Sequence, residues 1–150
     1  MSAAADEFEF FLEKDWCDGF PVVTPTETRV QGMLRGTRCD PEELIGRVPP
    51  AQETMSVRDV AIHALMAGCK PEYLPVLIGA MRLVLREELN MAGVQCTLDG
   101  AAPLLIVNGP YAAKVGIHGG NGCFGPGFRA NATIGRTVRL LLMNIGGGIA

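Results

Sequence analysis

The stretch SVRDVAIHALMAGCKPEYLPVLIGAMRLVLREEL, residues 56–89, decides the fold because it predicts two consecutive helices joined by a short break. Ser56 is a typical N-cap, and the apolar residues after it recur at helical spacing as far as Gly68. Pro71 then begins a second helix, which runs to about Leu89 and is apolar on most sides. A helix apolar all round is usually buried, so this one is predicted to be central.

Further helices are predicted on the N-terminal side of this pair. Residues 6–14 suit a short amphipathic helix. Thr24, Pro25 and Glu27 match an N-cap, a first-turn proline and a capping-box acid, which predicts a helix to about residue 36. The sequence CDPEELIG repeats this device and predicts a short helix ending at Gly46, and RVPPAQET after it is predicted to be a loop.

The periodicity changes on the C-terminal side. GVQCTL (residues 93–98) and APLLIVNG (residues 102–109) are predicted strands, and the second is a continuous apolar run typical of a strand covered on both faces. A glycine-rich loop at residues 116–127 leads into a helix at about residues 132–144. The predicted fold class is therefore α/β: one compact domain over residues 1–150, with a helix-rich first half, few strands, and residues 1–16 as an N-terminal segment or short helix.

Composition and charge exclude several classes of protein. The 150 residues are 48% hydrophobic and 19% charged, which suits a folded domain. A net charge of −3 argues against general nucleic-acid binding, and no apolar run approaches the roughly 20 residues that span a membrane. The five cysteines are widely spaced without a CxxC motif, so we expect reduced thiols in a cytoplasmic protein and no disulfide.

The glycine-rich loop is the main candidate site. It holds six glycines directly before a helix, where free N–H groups and a partial positive charge can bind phosphate or carboxylate. The loop could instead serve tight packing or a subunit contact. It lacks the P-loop lysine, and a proline–glycine turn interrupts its GxGxxG match, so no nucleotide motif is indicated. The predicted substrate-binding residues are Gly119, Gly120, Asn121, Gly125, Arg129, Asn131, Thr133 and Arg136.

A thiol and an imidazole fall close together in this loop. Cys123 near a helix start would be partly thiolate, and His118 could serve as its base. The same residues also fit an inert loop cysteine beside a surface histidine. His63 and Cys69 are six residues apart, which is poor helical geometry for a metal, and no third ligand is evident. No metal site is therefore predicted, and His63 is expected to be a hydrogen-bonded core residue.

Three stretches carry a family resemblance. DGFPVVTPTETRV, MAGCKPEYLPVL and FGPGFRANATIGRTVRLLLMNIGG resemble a bacterial protein family associated with thioredoxin-like selenoprotein domains named for a Sec-Gly-Ser-Cys (UGSC) motif. The resemblance implies a shared pocket that includes Glu72, Arg129, Asn131 and Thr133. It favours Cys69 over Cys123 as the shared thiol, although Cys69 also fits a buried position at a helix end. Taken together, the candidate catalytic residues are Cys69, Glu72, His118 and Cys123.

The same resemblance implies a partner. Longer family members continue past the point that matches Gly147, so this chain resembles their N-terminal half as a separate subunit, completed by a second polypeptide. The C-terminal helix supports that expectation. Leu140, Leu141 and Leu142 spread over roughly 300° of a helix, so a helix covered on one side would leave some of them exposed. We therefore expect an obligate hetero-oligomer with the active site near the subunit boundary.

The expected function is a subunit of a heteromeric cytoplasmic enzyme that acts on a small anionic organic substrate. Thiol-assisted redox or carbon–sulfur chemistry is one option, and a lyase or hydratase reaction without redox chemistry is another. Two functions of different classes also fit the sequence: a non-catalytic subunit that stabilises a catalytic partner, and a small-molecule sensor or carrier. The sequence indicates no particular cofactor, and neither nucleic acid nor membrane is an expected partner.

Overall fold

The computed structural model describes residues 7–148 and shows a helix-rich α/β fold with a small antiparallel sheet, as predicted. The helices are α1 (Glu7–Leu12), α2 (Glu27–Leu34), α3 (Val57–Met66), α4 (Leu74–Val84), α5 (Met91–Cys96), α6 (Pro110–Lys114) and α7 (Arg129–Asn144). The strands are β1 (Leu44–Val48) and β2 (Glu53–Ser56). Residue 6, the expected start of the first helix, lies outside the described residues. None of the helices within 7–148 has the length and apolar character needed to cross a membrane.

The helix pair α3 and α4 forms the centre of the fold, as predicted, but α4 is shorter than the predicted helix from Pro71 to about Leu89. It spans Leu74–Val84, with separate 3-10 turns at Pro71–Tyr73 before it and Glu87–Leu89 after it. Ser56 caps α3 in a full capping box, since its Oγ accepts from the Asp59 N–H at 3.2 Å and its own N–H donates to the Asp59 carboxylate at 2.8 Å. Gly68, at φ +86°, ends the helix, and the N–H of Cys69 donates back to the Ala64 carbonyl at 2.9 Å. The inner faces of α3, α4, α2 and α7 pack together into the main core.

The N-cap predicted at Thr24 is wrong by two residues. Helix α2 begins at Glu27, with Thr26 as the N-cap residue and no side-chain cap hydrogen bond. The first helical hydrogen bond runs from the Val30 N–H to the Thr26 carbonyl at 2.9 Å, and the Thr24 hydroxyl donates to the carboxylate of Glu7 in α1.

The strands do not occur where the sequence predicted them. The segment predicted as a short helix and loop before residue 56 is the β1–β2 hairpin, in which Gly46 pairs with Met55 and Val48 with Glu53. The Asp40 carboxylate accepts from the Glu42 N–H at 2.9 Å and makes a local turn rather than a helix start. Val48 and Met55 are fully buried, so packing against the core stabilises this hairpin.

The two predicted C-terminal strands are also wrong. Residues 91–96 form α5, because the Asn90 side chain accepts from the Gly93 N–H at 3.3 Å and caps a helix there. Residues 101–108 form no helix, turn or bend, and they pair with no strand in the described part of the chain, so we call them the extended segment. This extended segment is flanked by α5 on one side and α6 on the other in the sequence.

Helix α7 begins three residues earlier than predicted, and its leucines are covered by the chain itself. Leu140, Leu141 and Leu142 are at most 2% exposed. Leu141 and Leu142 belong to the main core, whereas Leu140 packs in a second cluster with Trp16 and Val22 of the N-terminal segment. The expectation that this helix needs a second polypeptide to cover its leucines is therefore wrong, because the sequence did not show that residues 16–22 fold back over it.

Candidate functional site

The glycine-rich loop adopts conformations that require glycine at several positions. Gly116, Gly122 and Gly127 have φ angles of +75°, +81° and +112°, a region that other residues rarely adopt. Within the loop, the Cys123 N–H donates to the Gly120 carbonyl at 3.1 Å, and the Gly125 N–H to the Gly122 carbonyl at 2.8 Å. The glycines therefore serve consecutive tight turns that lead into α7.

The side chain of Asn131 holds this loop together. Its Oδ1 accepts from the His118 N–H at 2.9 Å, and its Nδ2 donates to the carbonyls of His118 at 2.9 Å and Cys123 at 3.0 Å. Asn131 lies in the first turn of α7, so these bonds fix the loop to the helix. Much of the polar capacity predicted for a substrate is thus used by the loop itself.

His118 is also engaged within the loop. Its ring stacks on Phe128 with centroids 3.8 Å apart, and its Nε2 lies 3.1 Å from the Asn121 carbonyl. Among the described residues His118 makes no hydrogen bond with the Cys123 thiol. The predicted cysteine–histidine pair is therefore not assembled in this structure.

The two arginines predicted to bind substrate make contacts within the chain. Arg129 donates from Nε to the Gly68 carbonyl at 2.9 Å, which ties the start of α7 to the end of α3. Arg136 binds both oxygens of Asp18 at 2.7 Å and also donates to the carbonyls of Phe20 and Pro21. These contacts hold the N-terminal segment, residues 16–22, against α7.

The Asp18–Arg136 pair is largely shielded from water. Burial by itself would raise the pKa of Asp18, but the hydrogen bonds and the positive charge of Arg136 outweigh it and hold that pKa below its ordinary value. Thr133 is likewise satisfied within α7, since its hydroxyl donates to the Arg129 carbonyl at 2.8 Å.

Cys69 lies against α7, whereas Glu72 lies at the surface. Cys69 is 5% exposed, and its Sγ lies 3.3 Å from the Thr137 hydroxyl. Burial raises the pKa of the Cys69 thiol, although hydrogen bonding with Thr133 and Thr137 acts against it. The Glu72 carboxylate is exposed and lies 3.7 Å from the Lys70 ammonium. Cys69 is therefore packed in the core, and Glu72 lies on the surface.

Two other sequence predictions are confirmed. Cys69 is buried, and all five cysteines, which fall within residues 7–148, are free thiols. His63 is a core residue whose Nδ1 lies 2.8 Å from the Asp59 carbonyl, and burial lowers its pKa despite that contact. Residues 7–148 contain no group of three or more histidine, cysteine or acidic side chains placed to hold a metal ion.

A cavity of about 580 Å³ lies between α7, α5 and the extended segment. We call it the α7 pocket. Its walls are mostly apolar, with Ile134, Val138 and Leu142 contributed by α7 and Leu105 by the extended segment. Its polar lining consists of Gln95, Thr97, Asp99, Asn131 and Arg139, together with the Cys123 thiol. Asn131 and Cys123 are the two predicted site residues that line it.

Arg139 is the one basic residue among the described residues that line the α7 pocket, and Asp99 is the one acidic residue. Arg139 makes no ion pair within residues 7–148, in contrast to Arg136 on the same helix. Gly135 adds open space, because a Cβ built on it would meet no atom within 4 Å.

The site residues predicted from the sequence do not include Arg139 or Gly135. Positions 131, 135, 138, 139 and 142 recur at helical spacing and therefore lie on one face of α7. That spacing was the signal that could have found them. Comparisons of this chain with protein-family models, with curated proteins and with solved structures find no match.

Proposed function

We propose that this chain is an enzyme subunit that binds a small organic anion with an apolar body in the α7 pocket. The observation that carries the proposal is Arg139, a cation without an ion pair among the described residues, on the wall of a mostly apolar cavity. A guanidinium there can bind a carboxylate or phosphate in a forked geometry, while the apolar walls cover the rest of the ligand.

The size of the cavity supports a small-molecule ligand. Its volume of about 580 Å³ falls within the range of roughly 300–1,000 Å³ that is usual for ligand pockets. Such pockets combine apolar walls with a few polar groups that orient the ligand, and the α7 pocket has this composition. Asp99 would repel an anion close to it, which favours a ligand whose charged end lies at Arg139 and away from that carboxylate.

Cys123 is the thiol best placed for chemistry on such a ligand. It lines the pocket and is partly exposed, whereas Cys69 is buried and packs against α7. Thiol-assisted redox or carbon–sulfur chemistry would therefore use Cys123. A lyase or hydratase reaction would not need this thiol and is the second candidate. An accessory role, in which a partner subunit carries out the reaction, is the third.

The heteromeric assembly and the cytoplasmic location also remain proposals. Support for a second polypeptide now comes from the pocket itself, since Phe124 on its lining is 85% exposed and a partner there would close the cavity. Support for the cytoplasm comes from the five free thiols.

The binding proposal is tested by isothermal titration calorimetry with benzoate, phenyl phosphate and the neutral analogue benzamide. We expect one of the anions to bind and benzamide to bind more weakly. Arg139→Gln should weaken the anion about 10-fold or more, because a charge-assisted hydrogen bond contributes roughly 1.5–3 kcal/mol. Arg38→Gln, an exposed arginine that does not line the pocket, is the matched control. Equal affinity in wild type and Arg139→Gln would overturn the proposal.

The role of the thiol is tested separately by alkylation with iodoacetamide. The anion that binds should slow alkylation of Cys123, whereas Cys69 should react slowly with or without it. Cys123→Ser should retain anion binding if the thiol acts in chemistry rather than in binding. If Cys123 is alkylated at the same rate with and without the bound anion, it does not lie in the binding site.

A further inference from the structure

We infer that two copies of this chain associate by antiparallel pairing of their extended segments, residues 101–108, into a two-stranded ribbon across a two-fold axis. The inference does not depend on which ligand the α7 pocket binds. It rests on the backbone of this segment, on the exposure of its side chains and on its lack of charge.

The backbone of the extended segment is unpaired. Its N–H and C=O groups make no hydrogen bond with any other residue between 7 and 148. An extended run of free donors and acceptors is a template for another strand. Pro103 cannot donate, so the groups available for pairing are mainly those of residues 104–108.

The side chains alternate between two environments. Leu105 and Val107 are half-buried, and Leu105 packs against the main core. Leu104 and Ile106 point away from it and are 63% and 75% exposed. This is the period of two that a strand shows, with an apolar row on the side that has no cover in the described chain. A neighbouring strand would place apolar side chains beside that row.

The lack of charge favours a second copy as the occupant. No charged residue occurs between positions 100 and 113, so a two-fold axis through the segment brings no like charges together. The β1–β2 hairpin differs, because its strands carry Arg47 and Glu53, charges that discourage pairing between edges. The extended segment carries no such charge, and its Leu and Ile side chains can face one another.

The surface beside the segment is large enough to contribute to a dimer. A groove of about 490 Å³ separates the segment from α4 and the turn after it, and Leu83 and Leu89 line it with exposures of 61% and 45%. A dimer could bury four such side chains from each copy: Leu83, Leu89, Leu104 and Ile106. At about 100 Å² for each side chain, the total buried area approaches the roughly 1,000 Å² of a specific interface. The segment also lines the α7 pocket, so pairing would fix one wall of that cavity.

The test is sedimentation equilibrium of the full chain, combined with amide hydrogen exchange at high and low protein concentration. We expect a monomer–dimer equilibrium, with the amides of residues 104–107 protected in the dimer and unprotected on dilution. Ile106→Glu and Leu104→Glu should each raise the dimer dissociation constant about 100-fold or more, since each removes two apolar side chains and opposes two charges. Leu44→Glu, with the native residue 67% exposed on β1, is the matched control and should leave the constant unchanged.

Far-ultraviolet circular dichroism of each variant verifies folding, and both substituted side chains are exposed. A chain that stays monomeric at every concentration overturns the inference, as does a dimer that the segment variants do not weaken. A dimer in which the amides of residues 104–107 remain unprotected overturns the strand pairing. A complex formed through this segment with a different protein, in place of the self-pairing, also overturns it.

Discussion

The two faces of α7 differ in what satisfies their charged and apolar groups. On one face Arg136 binds Asp18 and two backbone carbonyls, and Leu140 packs under Trp16, so the N-terminal segment of the same chain completes the surface. On the neighbouring face, about 60° further around the helix, Arg139 lines an open cavity without an ion pair among the described residues. Two arginines three positions apart on one helix thus have different roles, one in stability and the other available for a ligand.

The largest expected effect is on the covered face. Leu140→Ala should lower the free energy of unfolding by about 3 kcal/mol, because it removes a fully buried side chain and leaves a cavity under the N-terminal segment. Urea denaturation measures the change. Leu44→Ala, at a residue 67% exposed, should change it by less than about 0.5 kcal/mol. Similar values for the two variants would contradict the packing of residues 16–22 on α7.

Loss of the Asp18–Arg136 ion pair on the same face should have the next largest effect on stability. Arg136→Met should lower the free energy of unfolding by about 2–3 kcal/mol at neutral pH, since it leaves the partly buried Asp18 without its partner. Because Arg136 holds the pKa of Asp18 below its ordinary value of 3.8, its contribution is present above pH 3.8 and is lost as the pH falls below it. Denaturation from pH 7 to pH 3 should show the two proteins converging in acid.

A smaller effect is expected from the buried histidine of α3, which belongs to neither face. Burial lowers the pKa of His63 below its ordinary value of 6.5, so the unfolded chain takes up a proton there before the folded protein does. Stability is therefore full above pH 6.5 and falls below it, by at most about 1.4 kcal/mol per pH unit. His63→Asn should flatten the slope between pH 6.5 and pH 5. If the pH dependence of stability is unchanged in His63→Asn, the slope comes from other titratable groups.

The smallest effect concerns the open face. Gly135→Ala should raise the free energy of unfolding by about 0.5–1 kcal/mol, because alanine is favoured over glycine in a helix and the new Cβ meets nothing. Gly32→Ala in α2, where a Cβ also has open space, is the matched control and should give a similar gain. Only Gly135→Ala should alter anion affinity, since only it narrows the α7 pocket.

Local signals predicted helix α3 correctly. Ser56, Asp59 and Gly68 act within a few residues, so the start and end of α3 were visible in the sequence. The strands were not predictable in the same way. The apolar run at residues 102–109 has the pattern of a covered strand, but no other strand within residues 7–148 pairs with it. The hairpin before α3 depends on core packing at Val48 and Met55, which the sequence pattern did not show.

The candidate site was only partly predictable for a related reason. The sequence located the loop and α7 but could not show which arginine has a partner, because Asp18 lies 118 positions from Arg136. Asn131 and Cys123 line the α7 pocket, whereas Arg129 and Arg136 bind groups distant in the sequence. The choice between a ligand contact and a structural contact is made by tertiary structure and not by residue type.

The most direct test of this account measures both arginines by the same two assays. Arg136→Gln and Arg139→Gln would be compared for free energy of unfolding in urea and for affinity toward the anion that the calorimetry identifies, at a temperature where both variants are folded. The account predicts a crossed result: Arg136→Gln loses stability and keeps its affinity, whereas Arg139→Gln keeps stability and loses affinity about 10-fold or more. Loss of both properties in one variant, or loss of affinity in Arg136→Gln alone, would contradict the assignment of the two faces of α7.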